Sequence, residues 1–236
     1  MFASMLRASR FMRKVDLGLI VLLACSCAAG AGTVAAPQFA VGDHWRYRIV
    51  DNLRRGAVSE LDVEVTSVTD RAAQIRIQRT DQNGRTEWVD EVDGEGGLRA
   101  GSLSHEPARA FNPAVQLLAF PLDKGKTWRQ TINTMRKDTG IKDQILIYGK
   151  VNGTASISVP AGTFDTVSIY RTVQLDDSEF WRSRTFRTDS VWYAAAVKAP
   201  VREKREAHYN QRDRSMPQVR TESTVIQLVS FQPGTK

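Results

Sequence analysis

The chain has 236 residues, 42% hydrophobic and 25% charged, with a formal net charge of +7, and it is long enough to bury a core without covalent staples. The basic excess is mild and local, which excludes a nucleic-acid-binding composition. Both cysteines, Cys25 and Cys27, fall in the first 36 residues, so the rest of the chain has neither a disulfide nor thiolate chemistry.

Those 36 residues run from basic to apolar to small. Arg7, Arg10, Arg13 and Lys14 form the basic start, Leu17 to Ala24 the apolar run, and small residues follow to Ala36. That order is the layout of a bacterial secretory signal, with Met12 as an alternative start. Leu22-Leu23-Ala24-Cys25 resembles the lipobox of bacterial lipoproteins. By that resemblance Cys25 becomes the lipid-bearing N-terminus, and Ser26 in place of an aspartate implies an outer-membrane lipoprotein facing the periplasm. Several acyl chains on one cysteine anchor stably, at about 0.8 kcal/mol per buried methylene. Two alternatives stay open: ordinary cleavage after Ala31, which releases a soluble periplasmic or secreted protein, and an uncleaved helix over 17–36.

Gly42-Asp43-His44-Trp45 opens the first strand. Leu61 to Thr66 and Ala73 to Gln78 alternate apolar with polar, as half-buried strands do, and Thr69-Asp70-Arg71 turns one into the other. Gln82-Asn83-Gly84 is a hairpin turn, because Asn and Gly tolerate positive φ, and it leads into a strand over 86–92. The run from Gly101 to Asp123 holds three prolines and reads as irregular, with Ala114 to Phe120 as a short helix or a buried loop.

Strands resume over 127–135. Residues 144–159 and 163–175 form a long hairpin about Pro160-Ala161-Gly162, since proline presets φ and glycine suits the exit. Three more strands follow, over 180–193, 201–209 and 221–231, the last apolar enough to sit centrally. The expected fold is all-β: an antiparallel, strongly curved meander, open barrel or sandwich of about ten strands after the signal segment. Residues 37–236 make one domain, and the second Gly-x-x-Trp, Gly125 to Trp128, suggests two β halves, 38–100 and 124–231.

Together, Gly42 to Tyr47, the second Gly-x-x-Trp, Val159-Pro160-Ala161-Gly162-Thr163-Phe164-Asp165 and Val191-Trp192-Tyr193-Ala194 resemble a broad family of bacterial exported proteins and lipoproteins of unknown function. Its members carry a Val-Pro-Ala-Gly-Thr-Phe turn and a later Trp-Tyr-Ala strand. The chain departs from that family at Ala195-Ala196, where a glycine is common. The resemblance implies an antiparallel β architecture and no catalytic residues. By architecture alone there is also a likeness to the half-barrel carriers of lipoproteins, and fold analogy does not establish function.

Chemistry-bearing patterns are sparse. His44, His105 and His208 do not pair at metal-ligand spacing, so no metal is expected. Ser102, Ser104 and His105 lack a nucleophile elbow, which disfavours a hydrolase. Asp90, Glu91, Asp93 and Glu95 lack calcium-loop spacing, no phosphate-cradling loop leads into a helix, and no cofactor is expected.

The aromatic residues carry the functional expectation. Trp45, Trp128, Trp181, Trp192 and Tyr193 are candidates for lining a concavity that holds an acyl chain or another apolar ligand. Arg182, Arg184, Arg187, Arg202 and Arg205 form a candidate basic face, within a stretch from Arg171 to Arg220 that holds 11 Lys or Arg against 7 Asp or Glu. The expected role is non-enzymatic: an envelope protein tied to the membrane by lipid, with a lipid or envelope protein as partner and no nucleic acid. A module that docks through sheet edges is the alternative.

Overall fold

The structure is a computed structural model that describes residues 33–54, 57–103, 108–135, 140, 142–176, 183–211 and 218–235. Cys25, Ser104, His105, Trp181 and Arg182 lie outside the described residues.

The described residues form twelve strands: β1 (His44–Asp51), β2 (Ala57–Val68), β3 (Ala72–Asp81), β4 (Gly84–Asp93), β5 (Leu98–Gly101), β6 (Arg109–Val115), β7 (Thr127–Met135), β8 (Lys142–Val159), β9 (Gly162–Leu175), β10 (Thr185–Ala194), β11 (Ala199–Gln211) and β12 (Gln218–Gln232). One 3-10 turn, Ala195–Val197, joins β10 to β11. The strands make a single sheet in the order β6-β5-β4-β3-β2-β1-β12-β11-β10-β9-β8-β7, and each pairing is antiparallel. The sheet is a nearly closed barrel, not a sandwich. Two six-strand meanders, β1–β6 and β7–β12, join where the first strand of the chain pairs with the last. The apolar last strand is therefore internal to the sheet, as its composition predicts.

Ten of the strands fall where the alternation predicts them. The other two, β5 and β6, lie in or beside the stretch read as irregular; of the two readings of Ala114 to Phe120, the structure shows a strand end followed by a half-buried loop and not a helix. Ala114 and Val115 end β6. Leu117, Leu118 and Phe120 then run half-buried against the interior. A segment surrounded by core on several sides needs no period of 2 or 3.6, so periodicity could not classify it.

The two Gly-x-x-Trp motifs build the same turn. Gly42 and Gly125 both take φ 85, in the left-handed region that glycine enters at low cost. Gly42 N donates to Val65 O at 2.8 Å, and Gly125 N to Val151 O at 2.9 Å. Val65 N returns a bond to Asp43 O, and Val151 N to Lys126 O, each at 2.9 Å. Each turn thus delivers its tryptophan onto the neighbouring strand: Trp45 opposite Val63 and Trp128 opposite Gly149.

Between β6 and β7 there is no ladder. Side chains of β7 hold the gap instead. Thr134 Oγ1 donates to Ala110 O at 3.3 Å. Gln130 donates to Ala114 O at 2.7 Å and accepts from Gln116 N at 2.8 Å. Trp128 Nε1 donates to Gln116 O at 2.9 Å. An exposed sheet edge invites pairing with other chains; here the two facing edges are stitched to each other.

One end of the barrel is packed solid. Trp45 lies 2% exposed, stacked on Phe231 with ring centroids 5.4 Å apart, edge-on to Phe39, and its indole N–H donates to Val197 O at 2.7 Å. Asp43 ties this end together by accepting from Ala40 N, Gly234 N and the Lys198 ammonium at 2.8, 2.9 and 2.6 Å. Burial alone would raise the Asp43 carboxyl, but Lys198 and the two amides outweigh it and hold it below the ordinary range. Val34 bridges to Leu122 beside Tyr193 and Phe120 and helps to fill the same end.

Candidate functional site

The other half of the barrel is not filled. A cavity of about 660 Å³ is bounded by β1 to β4, by Leu98, Leu103, Val115 and Leu117, and by the ends of β9 to β12. Its inner walls are apolar: Ile49, Leu61, Val63, Ile77, Trp88, Val92 and Ile226 face into it. Leu61, Val63 and Ile77 are only half-buried although they sit on the inward face of clean alternating strands: Val63 and Ile77 pack against the core on one side, and all three border the cavity on the other. Asp51, Leu53, Asp81, Asn83, Tyr209 and Thr221 mark the rim.

One wall carries a buried charge cluster built by register. Arg171 on β9 faces Asp189 on β10, which faces Arg205 on β11. Arg187 and Glu203 stand on the same inward faces, two residues away. Asp189 takes Arg171 Nε at 2.7 Å and Arg187 Nε at 3.0 Å. Glu203 takes Arg171 Nη2 at 2.6 Å and a bidentate pair from Arg205 at 2.8 and 3.1 Å. Arg187 and Arg205 line the cavity. Two of the guanidiniums also brace the irregular wall: Arg187 Nη1 donates to Leu103 O at 2.5 Å and Arg171 Nη1 to Leu117 O at 3.2 Å.

The electrostatics follow from that arrangement. Burial pushes Glu203 up, but Arg205, Arg171 and Arg187 together pull its carboxyl down to about 2. Burial lowers the Arg187 guanidinium, and Arg205 and Arg171 lower it further, against the pull of Asp189 and Glu203. Across the cavity, burial raises Asp90 to about 6, although the Ser102 amide and the Trp88 indole N–H favour its ionised form. Among the described residues no group of His, Cys, Asp or Glu could hold a metal ion.

The residues singled out from the sequence do not converge here. Trp45 and Tyr193 are buried in the solid end, Tyr193 edge-on to Phe120 at 5.3 Å. Trp128 lies in the β6–β7 seam. Trp192 points outward with the Arg202 guanidinium 5.3 Å from its ring centre. Of the described residues of the basic face, Arg184 pairs with Asp176 at 2.8 Å outside the barrel, and only Arg187 and Arg205 line the cavity. On β10 the aromatic residues Phe186 and Trp192 alternate outward, while Thr185, Arg187, Asp189 and Val191 are buried. Reading the aromatic face as the inner face inverts this strand. Trp88 and Asp90 line the cavity without having been singled out as a pair. The available signal was their inward phase, shared with Val92, on a strand paired to Ile75 and Ile77.

No family model matches the chain, and no curated protein matches it. The chain is similar to solved structures, the first below at a TM-score above 0.5. A candidate lipoprotein from Parabacteroides distasonis is 18% identical with a TM-score of 0.53, over 85% of this chain and 99% of its own. A candidate exported protein with YmcC-like fold from Bacteroides fragilis is 12% identical, TM-score 0.45, over 85% and 100%. The hypothetical lipoprotein YmcC of Escherichia coli is 8% identical, TM-score 0.38, over 82% and 86%. At these identities the likeness is one of fold. Fold and cavity together define an antiparallel barrel-like domain, solid at one end and hollow at the other.

Proposed function

We propose that the protein is an exported, lipid-anchored cell-envelope protein that binds an apolar or lipid ligand in the barrel and does no chemistry on it. The observation that carries this reading is the cavity: about 660 Å³, within the 300–1,000 Å³ range of small-molecule sites, with mainly apolar inner walls and a few convergent polar groups. The charged groups on its wall bond to one another, and two of them, Arg187 and Arg205, also border the open volume. The signal layout with Cys25 supports export and anchoring, and so does the name of the Parabacteroides protein that shares the fold.

The test is extraction of the full chain from the membranes of a Gram-negative host, followed by intact mass and mass spectrometry of co-purifying lipid. A mass that begins at an acylated Cys25, with bound lipid lost in Leu61→Trp, is the expected result. An unmodified soluble chain overturns the anchor. A chain without lipid that also fails to bind N-phenyl-1-naphthylamine overturns the ligand reading.

A further inference from the structure

We propose that the ligand of this cavity is a single-chain amphiphile with one anionic head, its head on Arg187 and Arg205 and its chain among Leu61, Val63, Val92 and Leu98. The proposal rests on the reading of the cavity as a lipid site and names the class of lipid.

Three guanidiniums, of Arg171, Arg187 and Arg205, share two carboxylates, of Asp189 and Glu203. One positive charge is left over within the cluster. Arg171, Arg187 and both carboxylates are buried, where an unbalanced charge is costly; Arg205 is 35% exposed, and Arg187 and Arg205 both border the open volume. Among the described residues, the remaining charges around that volume bond elsewhere or stand apart from the cluster. Arg54 pairs with Asp51 at 3.6 Å and Arg79 with Asp81 at 3.5 Å. Glu222 is exposed at the rim, and Asp90 stands on the opposite wall, where its carboxyl takes the Ser102 amide at 3.2 Å.

Position then assigns the two ends of the ligand. By register Arg205 faces Thr224, which faces Asp51 at the rim end of β1. Leu61 and Val63 face Tyr47 and Trp45 at the solid end. Charge therefore lies toward the rim and apolar wall lies deeper, the order in which an amphiphile enters tail first. A planar guanidinium pair suits a carboxylate or a phosphate through parallel N–H donors. Fatty acids and lysophosphatidic acids share this chemistry.

The experiment is calorimetric titration of the full chain, stripped of lipid on a hydrophobic resin, with palmitate, 1-palmitoyl lysophosphatidate and uncharged 1-palmitoylglycerol. Both anions are expected to bind about tenfold or more tighter than the glyceride, and the tighter of the two identifies the head. Arg187→Met and Arg205→Met should remove that advantage and leave the glyceride's affinity within about twofold, while Arg187→Lys retains part of it. Equal affinity for all three in the unaltered protein overturns the anionic head and leaves the cavity reading standing. Binding of none overturns both. The comparison among ligands needs no variant, so a variant that fails to fold does not rescue the proposal.

Discussion

Gln130 on β7 donates from its side-chain amide to the main-chain carbonyl of Ala114 on β6 at 2.7 Å, and its amide oxygen takes the Gln116 N–H at 2.8 Å. One side chain thus does at the seam what a pair of backbone groups does elsewhere in the sheet. Gln130→Ala leaves a carbonyl and an N–H without their partners, and each unsatisfied group costs about 1–3 kcal/mol. The variant should lower the urea midpoint without a matching loss of β signal in circular dichroism. An unchanged midpoint would mean that the seam holds without this clasp.

The neighbouring Trp128 makes a second prediction. A Cβ at Gly149 would run into the Trp128 ring, so the indole occupies space that only glycine leaves. Gly149→Ala must displace the ring and its bond to Gln116, with an overpacking cost of about 1–3 kcal/mol. Gly94→Ala meets nothing within 4 Å and should stay within about 0.5 kcal/mol of the parent. Thermal melts of the pair settle the matter: equal melting temperatures would remove the seam tryptophan as a structural element.

The sequence carried the fold further than the site. Alternation in Leu61 to Thr66 and Ala73 to Gln78, and the turns at Asn83-Gly84 and Pro160-Ala161-Gly162, place strands and hairpins because period and φ preference are local properties. Which face of a strand looks inward is not local. On β10 the outward set, Phe186, Thr188, Ser190 and Trp192, holds two aromatics and no charge, while the inward set holds Arg187 and Asp189 beside Val191 and Tyr193, so residue type alone does not choose the face. Arg187 and Asp189 are buried because Arg171 and Glu203 arrive from the adjoining strands, and that pairing exists only once the register is set. The cavity is legible still less, since an apolar inward face reads the same whether it meets packing or space.

Glu203 gives a pH prediction. Its carboxyl falls from the ordinary 4.5 to about 2 in the folded protein. The stabilisation it supplies is therefore complete above pH 4.5 and lost as pH drops through about 2, on the order of 3 kcal/mol. Glu203→Gln should erase this part of the acid limb. It should also destabilise at neutral pH by about 3–5 kcal/mol, since guanidiniums lose a buried partner. Urea titrations at pH 3 and pH 7 check both. A variant as stable as its parent at pH 7 would show that the cluster is not held by this carboxylate.

Asp90 behaves in the opposite sense. Burial raises its carboxyl from 3.8 to about 6, against the Ser102 amide and the Trp88 indole N–H. The folded state then holds a proton that the unfolded state has released, and this contribution to stability fades as pH rises from 3.8 through 6. Above pH 6 the folded protein carries an ionised carboxylate in an apolar wall and bears the full cost. Asp90→Asn keeps an oxygen for Ser102 N, which approaches Asp90 Oδ1 at 3.2 Å, and removes the charge. The variant should exceed its parent in stability by about 1–3 kcal/mol at pH 7.5, and the gap should close toward pH 4. A gap independent of pH would place the effect in packing at Gly101, whose missing Cβ leaves the room that the Asp90 carboxyl fills, rather than in charge.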